Sequence, residues 1–143
     1  MKIIIHTDGG ARGNPGPAGI GAVIEESGKK VAELSEYIGG ATNNFAEYEA
    51  LIRALHKAKE LYGAKLRDMH IEVRMDSELV IRQLQGLYKV RDAGMKEQFG
   101  RVEKLRLEDA PNISFMHVRR EKNAHADELV NEAIDKGAPH TKR

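Results

Sequence analysis

The chain has 143 residues, enough to bury a core without disulfides or a structural metal. Hydrophobic residues make up 41% and charged residues 31%, an ordinary globular balance that excludes a disordered or fibrous chain. Cysteine is absent, which rules out disulfides and thiolate metal sites and leaves oxygen or imidazole to hold any ion. The net charge is +1, from 23 basic and 22 acidic residues, so a nucleic-acid partner would have to meet a local concentration of positive charge. No apolar run approaches the roughly 18 residues of a membrane span, and no membrane association is expected. The opening Met1–His6 is too short and too soon polar for a secretory signal and reads as a first strand. With no cysteine, a cytoplasmic location is expected.

No repeat or low-complexity tract divides the sequence, which reads as one α/β domain over residues 1–137 followed by a tail, 138–143. Lys2 to Asp8 is apolar and β-branched, a candidate central strand. Ala11 to Gly19, rich in Gly and Pro, reads as a turn region. Ile20–Glu26 and Lys30–Ile38 read as strands joined at Ser27-Gly28, after which Gly39-Gly40 is expected to break the chain. A long helix is predicted from Asn43 or Asn44, as N-cap, to Tyr62, ended by Gly63. His70–Met75 alternates as a strand, and Ser77–Gln85 is a short helix closed by Gly86. Met95–Leu107 is helical in pattern, Ile113–Val118 is a strand, and Ala124–Lys136 is a last helix ended by Gly137. The order gives a hairpin meander followed by crossover units.

With 22 acidic residues, only position makes a carboxylate informative. At about 100° per residue, Glu47 falls inside the apolar arc of the long helix, between Ala54 and Leu51, whereas Glu49 and Glu60 fall opposite on a solvated face. A carboxylate aimed at a core needs a metal or a buried cation, although an acid near a helix N-terminus also has a local reason to be there. Asp8 ends an apolar strand and enters Gly9-Gly10, where an Asx-turn is the bland alternative. Asp76 ends the Ile71-Val73-Met75 strand and could be a helix N-cap, shared with Ser77. Asp127 lies in the first turn of the last helix, where the dipole favours it. Two acids end strands and two start helices, and sites in open α/β sheets gather at the carboxyl ends of strands. Clustered carboxylates suit hard cations such as Mg²⁺ or Mn²⁺.

The segment Thr7-Asp8-Gly9-Gly10-Ala11-Arg12-Gly13-Asn14-Pro15-Gly16-Pro17-Ala18-Gly19 resembles the opening hairpin signature of type 1 ribonucleases H. Ala41-Thr42-Asn43-Asn44-Phe45-Ala46-Glu47, Met75-Asp76-Ser77-Glu78-Leu79-Val80 and Asn123-Ala124-His125-Ala126-Asp127-Glu128-Leu129-Val130-Asn131 follow in that family's order, across nearly the whole chain. The resemblance implies a five-stranded mixed sheet flanked by helices on both faces. It also implies an endoribonuclease that cuts the RNA strand of RNA–DNA hybrids, leaving 3′-hydroxyl and 5′-phosphate ends. Asp8, Glu47, Asp76 and Asp127 would hold two Mg²⁺ ions, with Mn²⁺ a possible substitute. Gly9, Gly10, Arg12, Gly13 and Asn14, with Thr42, Asn43 and Asn44, would bind substrate in the minor groove, where neutral groups can read 2′-hydroxyls.

Three departures bear on this resemblance. Many members carry a basic, Trp-containing protrusion; here Gly86–Met95 is short, the chain has no Trp, and Lys89 and Arg91 are the remaining cations, as in a protrusion-less branch. Many carry a catalytic-loop His; the loop Val118–Asn123 has none and offers Arg119, Arg120 or Glu121 instead, beside Lys122, while His125 reads as a surface or capping residue. Glu78 stands where a neutral amide often meets substrate. A monomer is expected. The alternatives are a nuclease directed at double-stranded RNA or RNA–DNA junctions, or a non-catalytic hybrid-binding module, which would be expected to lack one or more of the four acids.

Overall fold

The computed structural model describes residues 1–137; the tail read from the sequence, 138–143, lies outside the described residues. Five strands form a mixed sheet in the order β3-β2-β1-β4-β5. They are β1 (Lys2–Ala11), β2 (Gly16–Glu26), β3 (Lys29–Ala41), β4 (His70–Met75) and β5 (Ile113–His117). The first three make an antiparallel meander, with Ile5 opposite Ile24 and Asp8 opposite Gly21. The last two are parallel additions, with Ile5 beside Val73 and Val73 beside Phe115. β1 is therefore central, which suits its run of β-branched Ile.

Four helices cover the sheet: α1 (Asn43–Tyr62), α2 (Glu78–Leu84), α3 (Ala93–Glu108) and α4 (Ala124–Gly137), with 3₁₀ turns at Gly63–Asp68 and Arg120–Asn123. A Cβ built on Gly9 would lie 2.2 Å from the Ala46 backbone of α1, while one on Gly10 would face Val130 of α4 at 3.7 Å. Successive strand residues point to opposite faces, so α1 and α4 lie on opposite sides of the sheet. The main core fills the α1 side, where Ile3, Ile5, Ile71 and Val73 meet Leu51 and Leu55, all buried. None of the described helices is long and apolar enough to cross a membrane.

Several local expectations are corrected. The Gly- and Pro-rich stretch Ala11–Gly19 is mostly strand, because β1 runs on to Ala11 and β2 begins at Gly16. Gly19 admits the approach of α4 rather than marking a turn, while Gly13 and Gly16 do shape the connection, which shrinks to residues 12–15. Nor does Gly39-Gly40 break the chain: β3 passes through both, and Gly39, at φ +80°, takes up a bulge where the register with β2 shifts. The cap of α1 is Thr42, whose Oγ1 accepts from the Phe45 N–H at 3.1 Å, and both Asn43 and Asn44 lie inside the helix.

Glu49 is also not on a solvated face. It is buried, accepting from Arg53 Nε and Arg101 Nη1 at 2.8 Å each and from Gln98 Nε2 at 3.0 Å. The helical wheel placed it away from the core correctly but could not show that α3 packs on that side.

Gly21 fixes the seat of α4, since an added Cβ would fall 2.3 Å from the Ala126 carbonyl oxygen. Gly21→Ala should therefore cost about 1–3 kcal/mol, as overpacked sites do, and lower Tm by roughly 3–12 °C. A thermal melt indistinguishable from the parent's would refute this account of the α4 packing.

Candidate active site

Asp8 lies on the central strand after its Ile run, and the absence of a side chain at the next residue decides what stands over it. Because Gly9 has no Cβ, the first turns of α1 come down onto β1. The Gly9 N–H then donates to Glu47 Oε1 at 2.8 Å. Asp76 follows β4 directly, and that strand is parallel to β1, so both acids emerge at the same end of the sheet. The Asp76 side chain does not cap α2; Ser77 does, accepting from the Val80 N–H at 3.3 Å. The carboxylates of Asp8, Glu47 and Asp76 each offer an oxygen such that the three lie within 4.8 Å of one another.

Asp127, from the first turn of α4, lines the same cleft of about 390 Å³ from the opposite face of the sheet but stands outside that tight trio. Asp8 and Glu47 are 7% and 8% exposed, and the Asp76 side chain 12%. Such crowding is unfavourable for ionised acids. Burial, followed by the charges of Glu47 and Asp76, pushes Asp8 up to about 9. Burial raises Glu47 to about 7 against the opposing pull of the Gly9 N–H. Burial also raises Asp76, with Arg120 working the other way. The all-oxygen donor set fits a hard divalent metal.

The residues expected to meet substrate gather at the rim. Asn43 Oδ1 accepts from the Ala11 N–H at 2.8 Å, and Asn14 Oδ1 accepts from the Asn43 N–H at 2.9 Å. Both side chains are exposed, and each amide nitrogen is left as a donor without a protein partner among the described residues. Gly9, Gly10, Arg12 and Asn43 line the carboxylate cleft, whereas Thr42 faces a separate cavity with Pro15 and Phe45. Gly13 turns the chain at φ +95°, and Asn44 is partly buried in the first turn of α1.

Of the loop residues, Arg120 is brought in, with Nε 3.9 Å from Asp76 Oδ2 and the side chain 85% exposed. Arg119 and Glu121 are exposed and do not line the cleft, and Lys122 faces another cavity with His6 and His125. His125 pairs with Glu33 at 2.6 Å on the surface. Glu78 is exposed, 3.6 Å from Arg82.

Two contacts at the site leave no signal of their own in the sequence. Asn123 is 2% exposed and donates Nδ2 to the Thr7 carbonyl at 2.9 Å, tying the loop to β1 beside Asp8. A polar residue just before an amphipathic helix reads only as a cap. The Gly9 N–H is the other: the glycine pair is conspicuous in the sequence, but the acceptor lies 38 residues away.

A family model described as reverse transcriptase-like matches residues 6–133. Ribonuclease HI of Halobacterium salinarum is 42% identical over 135 residues, covering 94% of this chain and 65% of that protein. The bifunctional protein Rv2228c of Mycobacterium tuberculosis is 40% identical over 140 residues, covering 96% of this chain and 37% of that protein. The chain thus spans less than two thirds of these relatives' lengths. Among solved structures, LC11-RNase H1 in complex with RNA/DNA hybrid superposes with a TM-score of 0.92 at 59% identity, covering 96% of this chain and 99% of that one. RNase H1 of Halobacterium salinarum gives a TM-score of 0.85 at 41% identity, covering 96% and 100%. With the same fold, and with identity of this order along nearly its whole length, the chain belongs to the ribonuclease H family.

Proposed function

We propose that the chain is an endoribonuclease that hydrolyses the RNA strand of RNA–DNA hybrids, leaving 3′-hydroxyl and 5′-phosphate ends. Residues 1–137 form its catalytic unit and act as a monomer, and the absence of cysteine supports a reducing, cytoplasmic setting. The observation that carries the reading is the meeting of Asp8, Glu47 and Asp76 within 4.8 Å, two of them buried and only Asp76 near a guanidinium, that of the exposed Arg120. The hybrid bound by a relative 59% identical to this chain supports the substrate class.

Asp8, Glu47, Asp76 and Asp127 would hold two Mg²⁺ ions, or Mn²⁺ in their place. When bound, the ions would polarise the attacking water and stabilise charge on the departing 3′ oxygen. The protein's own part is to set the frame. Gly9 orients Glu47 through its N–H, and Ser77 caps α2 so that Asp76 stays free for the cleft. Asn14, Asn43 and Asn44, with Gly10 and Gly13, would meet the minor groove, where amide groups pair with 2′-hydroxyls irrespective of sequence, while Thr42 caps α1 and lines a separate cavity. Arg120, beside Asp76, draws a phosphate toward the carboxylates, a task not shared by Arg119, which does not line the cleft, or by Glu121, whose charge is of the wrong sign.

End-labelled hybrid, double-stranded RNA, single-stranded RNA and a junction duplex, each incubated with Mg²⁺ and with Mn²⁺, test the reading. Hybrid should be cut within its RNA strand in at least one metal. No cleavage of hybrid in either would favour a binding module of the same fold.

Asp8→Asn and Asp76→Asn should each lower hybrid cleavage by at least about 10²-fold, as loss of a main electrostatic group does, with unchanged circular dichroism. Activity near the parent's in either variant would contradict the assignment.

The raised acids also give the metal-free chain a pH-dependent stability. Asp8 and Glu47 keep protons when folded that they release on unfolding, where ordinary values of 3.8 and 4.5 apply. Their contribution is fully present below those values and is lost as pH rises through about 7 and about 9. In a chelator, Tm should fall as pH rises from 5 to about 9; Asp8→Asn should flatten the slope, and Mg²⁺ should restore the parent's Tm at the alkaline end. An Asp8→Asn profile parallel to the parent's would count against this coupling.

A further inference from the structure

The turn between β1 and β2, residues 12–15, is braced on two sides, and the two braces end on different helices. On one side Asn43 and Asn14 tie it to the start of α1, which carries Glu47. On the other, Arg12 reaches α4, which carries Asp127. Its Nη1 lies 2.7 Å from Asp135 Oδ1, and its Nη2 donates at longer range to Asn131, 3.5 Å from the carbonyl and 3.4 Å from Oδ1. Asn131 in turn donates Nδ2 to the Asp127 carbonyl at 3.2 Å.

From Asp127 through Asn131 to Asp135 the spacing is four and four, one stripe along the helix, and the guanidinium holds its second and third members. We infer that Arg12 is a positioning residue: it fixes α4 against the substrate-side turn and thereby sets Asp127, the acid outside the tight trio, at its distance from Asp8, Glu47 and Asp76. This rests on the metal-site reading above. It differs from that of Arg12 as a substrate contact, because its charge is already met by Asp135 and its fork is directed along the helix.

The two roles separate experimentally. Hybrid cleavage is measured for the parent, Arg12→Ala, Asp135→Asn and the double variant, alongside calorimetric titration of each protein with Mn²⁺ in the absence of nucleic acid. A strut predicts that both single variants lose kcat by about three- to fivefold, the scale of an exposed ion pair. KM should change by less than about twofold, and the double variant should be no worse than either single one. The weaker Mn²⁺ affinity should fall by about threefold in both, with Tm within a few degrees of the parent's.

A phosphate contact predicts instead that Arg12→Ala raises KM and reduces the log–log salt slope by about one, while Asp135→Asn is silent. Either that pattern or unchanged Mn²⁺ affinity in both variants overturns the strut. Should the parent not cut hybrid at all, the proposed activity falls by itself, and the Mn²⁺ titration still decides the role of Arg12.

Discussion

The distance between α1 and β1 governs everything built at the cleft. A helix backbone rarely comes as near a strand as Ala46 does to Gly9, where any Cβ would sit 2.2 Å from the helix carbonyl group. That proximity lets one strand N–H reach Glu47 at 2.8 Å, and so holds an acid against a neighbouring acid that repels it. The remaining pieces are set by the same sheet. The parallel pairing of β1 with β4 brings Asp76 to the end where Asp8 emerges, and Gly21 lets α4 approach from the other face with Asp127. Glycine thus shapes the site from both sides, at positions where alanine would separate the layers.

Much of this was legible in the sequence, and the misses have physical causes. The Ile-rich first strand, the long helix ending at Gly63 and the anomalous place of Glu47 on its apolar arc follow from periodicity, a local property. Asp8, Asp76 and Asp127 had local alternatives that only the motif order outweighed. The failures concern glycine and partners distant in sequence. Gly9, Gly10 and Gly19 were read as turn formers because glycine that frees a dihedral and glycine that admits a neighbour look alike in one dimension. Glu49 was read as solvated because α3, which covers it, lies some fifty residues on. Asn123, which reaches back 116 residues to Thr7, leaves no periodic trace at all.

The rim of the cleft carries what sets this chain apart from many relatives. On the proposed reading, and without a Trp-bearing protrusion, the grip on a duplex would fall to exposed amides at Asn14 and Asn43 and to cations such as Arg120, so that binding would lean on shape more than on charge. The exposed stretch Leu87–Lys89 follows the end of α2 and is bounded by Gly86 at φ +80°.

Two buried acids on α1, two residues apart, meet opposite fates. Glu49 is surrounded by Arg53, Arg101 and Gln98, and its hydrogen bonds to them outweigh burial and hold it below the usual carboxylate range. Glu47 accepts from the Gly9 N–H but has no guanidinium beside it, and burial keeps it high. Among the described residues, Glu49 is met by a guanidinium of its own helix and by two side chains of α3, whereas Glu47 is paired with no cationic side chain. If the cluster takes a metal as proposed, the apolar core is built without it, unlike that of small domains whose metal is itself the core. On the proposed reading, the scaffold would stand ready and its chemistry would begin only when a cation enters.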